Sequence, residues 1–267
     1  MQSGLSRDCL TKKLSKKEVA KRLKISNDVL DVLSNATTSG NALSLSGQLD
    51  RNLYQRANKV IEAAGGKWNR KAQCHLFDGD AADAMDQIIL TGEVTVKQDF
   101  GYFPTPGVVV EQLLSLAELS SGLLVLEPSA GRGAIASRVL RFGCDVDCVE
   151  LLADNAEHLR AVDLLLFHGD FLTLDPDPVY DRVIMNPPFA RQADIHHVNH
   201  AMKFLKPDGI LVSVMSAGVM FRTNRLTVDF KNMVDAHDGE IIPLPEGSFK
   251  ESGTLVNTVI VKMFAKE

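Results

Sequence analysis

Residues 123–134 read LLVLEPSAGRGA, an apolar run that ends in an acid and continues into a glycine-rich turn. The run is typical of a buried strand, and Gly131 and Gly133 allow the main chain to approach a ligand without a Cβ clash. The turn lacks the third glycine of a dinucleotide fingerprint, and it carries Glu127 where a pyrophosphate would be repelled. The acid therefore favours a ligand with a positive charge.

Similar apolar runs follow this one and alternate with helical patterns. We predict strands at residues 123–126, 145–149, 163–167, 181–185 and 209–215. Strands that alternate with helices form a parallel sheet, and ligands bind at the carboxyl ends of its strands. The expected fold is α/β with a Rossmann-like sheet, and functional residues are expected directly after the strands.

Acidic and amide side chains do follow the predicted strands. Glu150 ends the second strand, where an acid typically accepts hydrogen bonds from ribose hydroxyls. Asp170 follows the third strand, placed to accept a hydrogen bond from an exocyclic amine, and Phe171 is placed to flank a ring. The sequence NPPF at residues 186–189, here called the NPPF loop, follows the fourth strand. Acids and a glycine turn at successive strand ends predict a nucleoside pocket without a phosphate cradle.

In this order the motifs resemble those of the class I S-adenosylmethionine-dependent methyltransferases that carry an NPPF or NPPY signature. The resemblance covers roughly residues 100–265 and is greatest to DNA adenine-N6 enzymes of the γ arrangement, in which the cofactor motif precedes the catalytic one. Residues 103–106 match the element ahead of the first strand, and residues 247–263 match the final antiparallel hairpin. The resemblance implies a seven-stranded, mostly parallel sheet with an antiparallel last strand.

The resemblance also implies S-adenosylmethionine as the cofactor and assigns roles to individual residues. Cofactor contacts are expected from Phe103, Thr105, Pro106, Glu127, Ser129, Ala130, Gly131, Gly133, Glu150, Asp170 and Phe171. Catalytic roles are expected for Asn186, Pro187, Pro188 and Phe189.

The chemistry expected of the NPPF loop follows from the electronic structure of an aromatic amine. The lone pair is delocalised into the ring, and two acceptors aimed at the amine hydrogens favour a pyramidal, nucleophilic nitrogen. The side-chain oxygen of Asn186 and the carbonyl of Pro187 are the expected acceptors, held in place by the two prolines. Phe189 is expected to stack on the target ring. A double-stranded DNA substrate implies a flipped base, because the amine is out of reach inside a duplex.

The charge distribution divides the chain into two parts. The 267 residues carry a net charge of −5, yet residues 1–75 carry +8 and residues 76–267 carry −13. The first part suits a polyanionic partner such as DNA, and the second suits a cationic cofactor. We predict a basic helical leader at 1–36, a small α+β module at 37–98 that contacts nucleic acid, and a methyltransferase domain at 99–267.

The leader and the module each allow two interpretations. Residues 14–33 fit two short helices joined at 24–26, which resembles a helix-turn-helix, but Asp28 and Asp31 favour a solvated basic arm over groove reading. Trp68 either plugs the core of the module or stacks on a base while cations grip phosphates. The candidate nucleic-acid contacts are Lys67, Trp68, Arg70, Lys71, Arg222 and Arg225.

Alternatives to a sequence-specific DNA enzyme stay open. The residues after the NPPF loop leave no room for a large target-recognition domain. We therefore expect a short or relaxed recognition sequence, as in the solitary enzymes of phages and plasmids. The same loop would serve in guanine-N2 methyltransferases of ribosomal RNA or in enzymes that methylate a glutamine amide. A non-catalytic DNA-binding regulator that retains the pocket is a further alternative, which the intact Glu127, Glu150, Asp170 and Asn186 disfavour.

Membrane, secreted and metal-dependent classes are not indicated. The most apolar run, residues 209–221, is too short for a membrane span, and no apolar leader follows Met1. The four cysteines, Cys9, Cys74, Cys144 and Cys148, form no CxxC pair. The histidines at 196, 197 and 200 invite a metal site, but the glutamate of an HExxH motif is missing. We expect a cytoplasmic protein without a metal or a membrane partner.

Overall fold

The computed structural model describes residues 25–92, 103–162, 164–254 and 256–266. A small α+β module precedes a larger α/β unit. The module contains α1 (Asn27–Ser34), β1 (Thr37–Ser39), β2 (Ala42–Ser44), α2 (Arg51–Ala63), β3 (Lys67–Asn69), β4 (Cys74–Leu76) and α3 (Ala81–Thr91). The strands of the larger unit are β5 (Leu124–Glu127), β6 (Asp145–Glu150), β7 (Leu165–His168), β8 (Tyr180–Met185), β9 (Leu205–Ser216), β10 (Glu240–Pro243) and β11 (Thr258–Phe264). Its helices are α4 (Gly107–Leu116), α5 (Ala136–Val139), α6 (Ala153–Arg160), α7 (Ala193–Ala201), α8 (Gly218–Phe221) and α9 (Arg225–Ala236).

The strands of the larger unit form one sheet in the order β10-β11-β9-β8-β5-β6-β7. β5 pairs in parallel with β6 and with β8, whereas β11 is antiparallel to β9 and to β10. The predicted Rossmann-like sheet with an antiparallel last strand is confirmed. The strand order reverses at β5, which brings the loops after β5, β6 and β8 to one edge of the sheet.

The sheet is covered on both faces because successive residues of each strand point in opposite directions. Ile184 and Val212 pack towards helices α4, α5 and α6, in one buried cluster. Their neighbours Val183 and Leu211 pack towards α7 and α9, in a second cluster. This burial on both sides explains why the strands read as continuous apolar runs.

The final hairpin differs in detail from the prediction. Its first strand is β10, and residues 247–254 form the connection to β11. Gly247 and Gly253 have φ values of +79° and +86°, which extended strand residues do not adopt. The polar start of β10 at Glu240 concealed this short edge strand in the sequence.

The module has its own core, in which α1, α2 and α3 pack on an antiparallel sheet of order β1-β2-β4-β3. Leu33 of α1 is buried together with Leu43, Ile61 and Met85. The boundary predicted at residue 36 therefore does not separate two cores. The first of the two short helices that residues 14–33 fit lies outside the described residues.

The module also packs against the larger unit. Phe221 contacts the module core, and Leu90 of α3 is buried in the core of the larger unit. The main-chain N–H of Asn257 donates to the Leu90 carbonyl at 3.1 Å. Asp31, which disfavoured groove reading in the sequence, accepts hydrogen bonds from the main-chain N–H and the hydroxyl of Thr223, each at 3.0 Å.

Within the residues that the structure describes, no helix is long and apolar enough to span a membrane. Cys74, Cys144 and Cys148 are buried with free thiols. Cys9 lies outside the described residues.

Candidate active site

A cavity of about 340 Å³ opens where β5, β6 and β8 end, which is within the range of small-molecule sites. Its lining residues are Phe103, Thr105, Glu127, Pro128, Ser129, Ala130, Gly131, Ala134, Glu150, Leu151, Leu152, Gly169, Asp170, Phe171, Asn186, Pro187, Pro188, Phe189 and His197. The cavity brings together the NPPF loop and all predicted cofactor contacts except Pro106 and Gly133. Residues from four separate strand ends therefore share one site.

Glu150 holds the glycine-rich turn in place. One carboxylate oxygen accepts from the main-chain N–H of Gly131 at 2.6 Å, and the other accepts from Leu152 at 2.7 Å. Gly131 has a φ of +56°, a left-handed conformation that favours glycine. Each carboxylate oxygen keeps a second lone pair for a ligand hydroxyl.

Gly133 and Pro106 have structural positions instead of lining the cavity. Gly133 has a φ of +79°, and a Cβ there would lie 3.0 Å from the side chain of Leu159. Its glycine is explained by this close packing of the turn against α6. Pro106 is the N-cap residue of α4, directly after Thr105.

Glu127 is a buried acid with no cation beside it among the described residues. Its side chain is 2% exposed, and one oxygen accepts from the N–H of Ala136 at 2.7 Å. Burial raises the pKa of this carboxyl well above its usual range, and the nearby charge of Glu150 raises it further. A positively charged ligand would reverse this cost, which fits the cationic ligand predicted from the sequence.

The side-chain amide of Asn186 is oriented by Thr105. The amide nitrogen donates to the Thr105 hydroxyl oxygen at 3.0 Å. The amide oxygen is buried, and no donor in the described part of the chain reaches it. Buried polar atoms are nearly always paired, so an acceptor left open at a cavity wall points to a ligand donor.

The third strand end supplies a polar mouth and an aromatic wall. Asp170 is exposed, and one of its oxygens caps the following turn through Leu172 N–H at 3.0 Å. Phe171 is only 2% exposed, with its ring centroid 4.9 Å from that of His200 and 5.2 Å from that of Phe204. Phe171 therefore backs the cavity wall from within an aromatic cluster.

Six lining residues were not predicted as site residues: Pro128, Ala134, Leu151, Leu152, Gly169 and His197. Leu151 and Leu152 are 62% and 45% exposed, and they follow Glu150 directly. An apolar pair just after a strand-ending acid was the sequence signal for them. His197 lines the cavity and bonds through Nδ1 to the Ala193 carbonyl at 2.9 Å. In the described ranges, no group of three His, Cys, Asp or Glu side chains is arranged to hold a metal.

The candidate nucleic-acid residues fall into two groups. Lys67, Trp68, Arg70 and Lys71 are exposed on the β3–β4 hairpin, and Trp68 is 45% exposed, so it does not plug the module core. The Trp68 ring meets His75 edge-on, with centroids 5.0 Å apart.

The two arginines near α9 differ from each other. The Arg225 side chain is 94% exposed and lies 3.5 Å from Asp229. Arg222 is 3% exposed, and burial lowers the pKa of its guanidinium while Asp194 and Asp86 oppose that shift. The prediction that Arg222 contacts nucleic acid is wrong, because a buried side chain cannot reach a phosphate at the surface.

Known proteins match this chain in its fold and, over a shorter stretch, in its sequence. No family model matches. A Listeria monocytogenes protein assigned to the class I S-adenosylmethionine-dependent methyltransferases has a TM-score of 0.50 at 21% identity, covering 70% of this chain and 68% of that chain. The chain has the class I methyltransferase fold.

Two curated proteins that match this chain in sequence are type II methyltransferases by name. Type II methyltransferase M.HincII of Haemophilus influenzae is 27% identical over 115 residues, which cover 43% of this chain and 22% of that protein. Type II methyltransferase M.HindII of the same species is also 27% identical over 115 residues. The match thus spans about a fifth of each relative.

Proposed function

We propose that this chain is an S-adenosylmethionine-dependent methyltransferase that acts on the exocyclic N6 amine of adenine in DNA. The observation that carries the proposal is the open, buried oxygen of Asn186 at the cavity wall. A buried acceptor without a donor costs about 1–3 kcal/mol, so its retention here favours a role with a substrate that donates. An exocyclic NH2 group is such a donor.

The other lining residues fit the proposed cofactor. We expect Glu127 to accept from its positively charged amino end and Glu150 to accept from its ribose hydroxyls. Leu151 and Leu152 offer an apolar flank for its base, with Asp170 as an acceptor at the mouth. When bound, the cofactor supplies a methyl group activated by a sulfonium.

The NPPF loop would prepare the target amine for that methyl group. Asn186 Oδ1 and the Pro187 carbonyl accept from the two amine hydrogens, which localises the nitrogen lone pair. The amine lone pair would form the new bond to the methyl carbon as the methyl–sulfur bond breaks, its electron pair staying on the sulfur of S-adenosylhomocysteine, and one amine proton would go to water. The Thr105 hydroxyl oxygen accepts from the Asn186 amide nitrogen, and this hydrogen bond would keep the Asn186 oxygen turned towards the target amine. Phe189 is 7% exposed at the cavity wall, where the target ring would stack.

DNA is favoured as the acceptor by two independent observations. The sequence relatives are type II methyltransferases by name, and the first 75 residues carry a charge of +8. Guanine-N2 in RNA and a glutamine amide present the same kind of NH2 group, so the NPPF loop alone does not separate them. The acceptor therefore has to be tested directly.

The decisive experiment offers each acceptor to the purified chain with methyl-labelled cofactor. We expect label in DNA duplexes that contain adenine, recovered as N6-methyl-2′-deoxyadenosine, and none in duplexes built only from guanine and cytosine. Label in structured RNA or in protein alone would overturn the DNA assignment. Methylation mapping of host DNA then tests the short or relaxed specificity, which one long recognition sequence would contradict.

The β3–β4 hairpin is proposed to grip the DNA backbone. Replacing Lys67, Arg70 and Lys71 together with alanine should weaken DNA binding and reduce the salt slope of the binding constant. About 0.9 is lost from that slope for each phosphate contact removed, so a loss of about 2 to 3 is expected. Trp68→Ala should weaken single-strand binding by about 1–3 kcal/mol if the indole stacks on a base. Fluorescence anisotropy over a salt series measures both effects.

A charge-matched control uses exposed cations elsewhere on the chain. Arg141, Arg160 and Lys203 are exposed on the larger unit, and their triple alanine variant removes the same charge. An equal change of salt slope in both triple variants would show that net charge, and not the hairpin, determines binding. Affinity for S-adenosylhomocysteine should stay unchanged in both.

A further inference from the structure

The turn that follows the NPPF loop is held in an unfavourable main-chain conformation. Arg191 and Gln192 have φ values of +53° and +60°, although neither is a glycine. L side chains rarely adopt this left-handed conformation, and it persists only where the surroundings impose it. The turn is tied directly to the loop, because the N–H of Gln192 donates to the Phe189 carbonyl at 3.2 Å.

One side of this turn is held by the N-terminal module. Asp86 of α3 accepts from the main-chain N–H of Arg191 at 2.5 Å, and Asp83 accepts from its guanidinium at 2.7 Å. Asp80, at the start of the same helix, lies 3.9 Å from that guanidinium. A spacing of three residues puts these acids on one helix face, so the face is built to meet Arg191.

The other side of the turn is held by the start of α9. The side-chain oxygen of Gln192 accepts from the Asn224 amide at 3.2 Å and from the Thr227 hydroxyl at 2.9 Å. Behind the turn, the buried charge of Arg222 favours the ionised form of Asp86 and so opposes the rise in its pKa that burial causes. The ionised carboxylate is the stronger acceptor for the Arg191 N–H.

We propose that Asp83 and Asp86 are positioning residues that act through Arg191 to fix the NPPF loop. The inference rests on the proposed methyltransferase function, and it gives the module a part in turnover as well as in substrate binding. The two acids lie 100 or more positions away from the loop in sequence, so only the folded contact connects them.

The first test separates turnover from binding. The double variant Asp83→Ala/Asp86→Ala should lower kcat about tenfold, with Kd for S-adenosylhomocysteine within twofold of wild type, because Glu127 and Glu150 are untouched. Asp86→Asn should keep most of the rate, since its side-chain oxygen can still accept from Arg191. Asp235→Ala removes an exposed helix aspartate of α9 and serves as the control. An unchanged kcat in the folded double variant would overturn the inference.

The second test relieves the strain at Arg191, the residue that the two acids hold. Glycine adopts positive φ freely, so Arg191→Gly should make the turn independent of the two acids. In that background, Asp83→Ala/Asp86→Ala should cost less than twofold in kcat. A full tenfold loss in both backgrounds would mean that the acids act elsewhere.

A third readout does not require activity. Hydrogen exchange of residues 186–192 should speed up in Asp83→Ala/Asp86→Ala but not in Asp235→Ala. If the wild-type chain methylates no acceptor, the proposed function fails while this exchange measurement still decides the inference. Unchanged exchange in the double variant would overturn it.

Discussion

Replacing Asn186 with alanine is expected to reduce methyl transfer by about 10²–10³-fold or more while cofactor binding is retained. In the proposed mechanism the side-chain oxygen would be an acceptor fixed in advance where positive charge develops on the amine, and removing one such fixed dipole typically costs this much in kcat. Binding of S-adenosylhomocysteine should change little, because Glu127 and Glu150 provide that part of the cavity. Label transfer to DNA and calorimetry of cofactor binding measure the two effects separately.

Two further variants make this prediction specific. Asn199 also has a buried amide oxygen without a donor among the described residues, but it does not line the cavity, so Asn199→Ala should keep its activity. Thr105→Val removes the acceptor for the Asn186 amide nitrogen, whereas Thr105→Ser keeps it. We expect a lower kcat in the valine variant and near-normal turnover in the serine variant. Equal label transfer by wild type and Asn186→Ala would end the enzymatic hypothesis.

The sheet and the cavity can both be predicted from the sequence, and for the same reason. Strands buried on both faces read as uninterrupted apolar runs, and the polar residues that end them, such as Glu127, Glu150 and Asn186, stand out against that pattern. Because parallel strands end at one edge, residues far apart in sequence are brought together by topology alone. The order of the motifs along the chain is therefore enough to predict the cavity, without knowing how the loops fold.

The contacts between the module and the larger unit cannot be predicted from the sequence in this way. Asp83 and Asp86 read as the polar face of an amphipathic helix, and nothing local distinguishes that face from one turned to solvent. Arg222 read as a free surface cation because a charged residue is almost never fully buried. Burial of Arg222 depends on how α3 docks beside it, which is a long-range property. The exposure of Trp68 likewise contradicts the average behaviour of its residue type.

Replacing Glu127 with glutamine is expected to stabilise the ligand-free protein while weakening its cofactor binding. The pKa of the buried carboxyl is raised well above its usual range in the folded state, so between the unfolded and the folded pKa the folded state holds a proton that the unfolded chain has lost. Stability of the wild type should therefore fall as pH rises above the ordinary glutamic acid pKa of 4.5 towards the raised folded value. Glutamine has no charge to bury, and its oxygen can still accept from Ala136.

Thermal unfolding at several pH values checks the stability half of this prediction. Each unit by which the folded pKa exceeds the unfolded pKa lowers the free energy of unfolding by about 1.4 kcal/mol at a pH above both values. For a chain of this size, about 1 kcal/mol corresponds to roughly 2–4 °C in Tm. The glutamine variant should melt several degrees above the wild type at pH 8, with the gap closing towards pH 4.5. A lower Tm for the variant at pH 8 would contradict the desolvation argument.

Glu127→Gln is expected to weaken cofactor binding although it stabilises the fold, and this second effect has its own control. A cationic ligand amine would regain the ionised form of Glu127, and losing a hydrogen bond to a charged group costs about 1.5–3 kcal/mol, or roughly 10- to 100-fold in Kd. Wild-type affinity for S-adenosylhomocysteine should rise with pH, and the variant should lose that dependence. Glu150→Gln is the matched control, because both Glu150 oxygens accept main-chain N–H groups and an amide NH₂ would face one of them. It should lower Tm at every pH, so two acids in one cavity would respond to the same substitution in opposite directions.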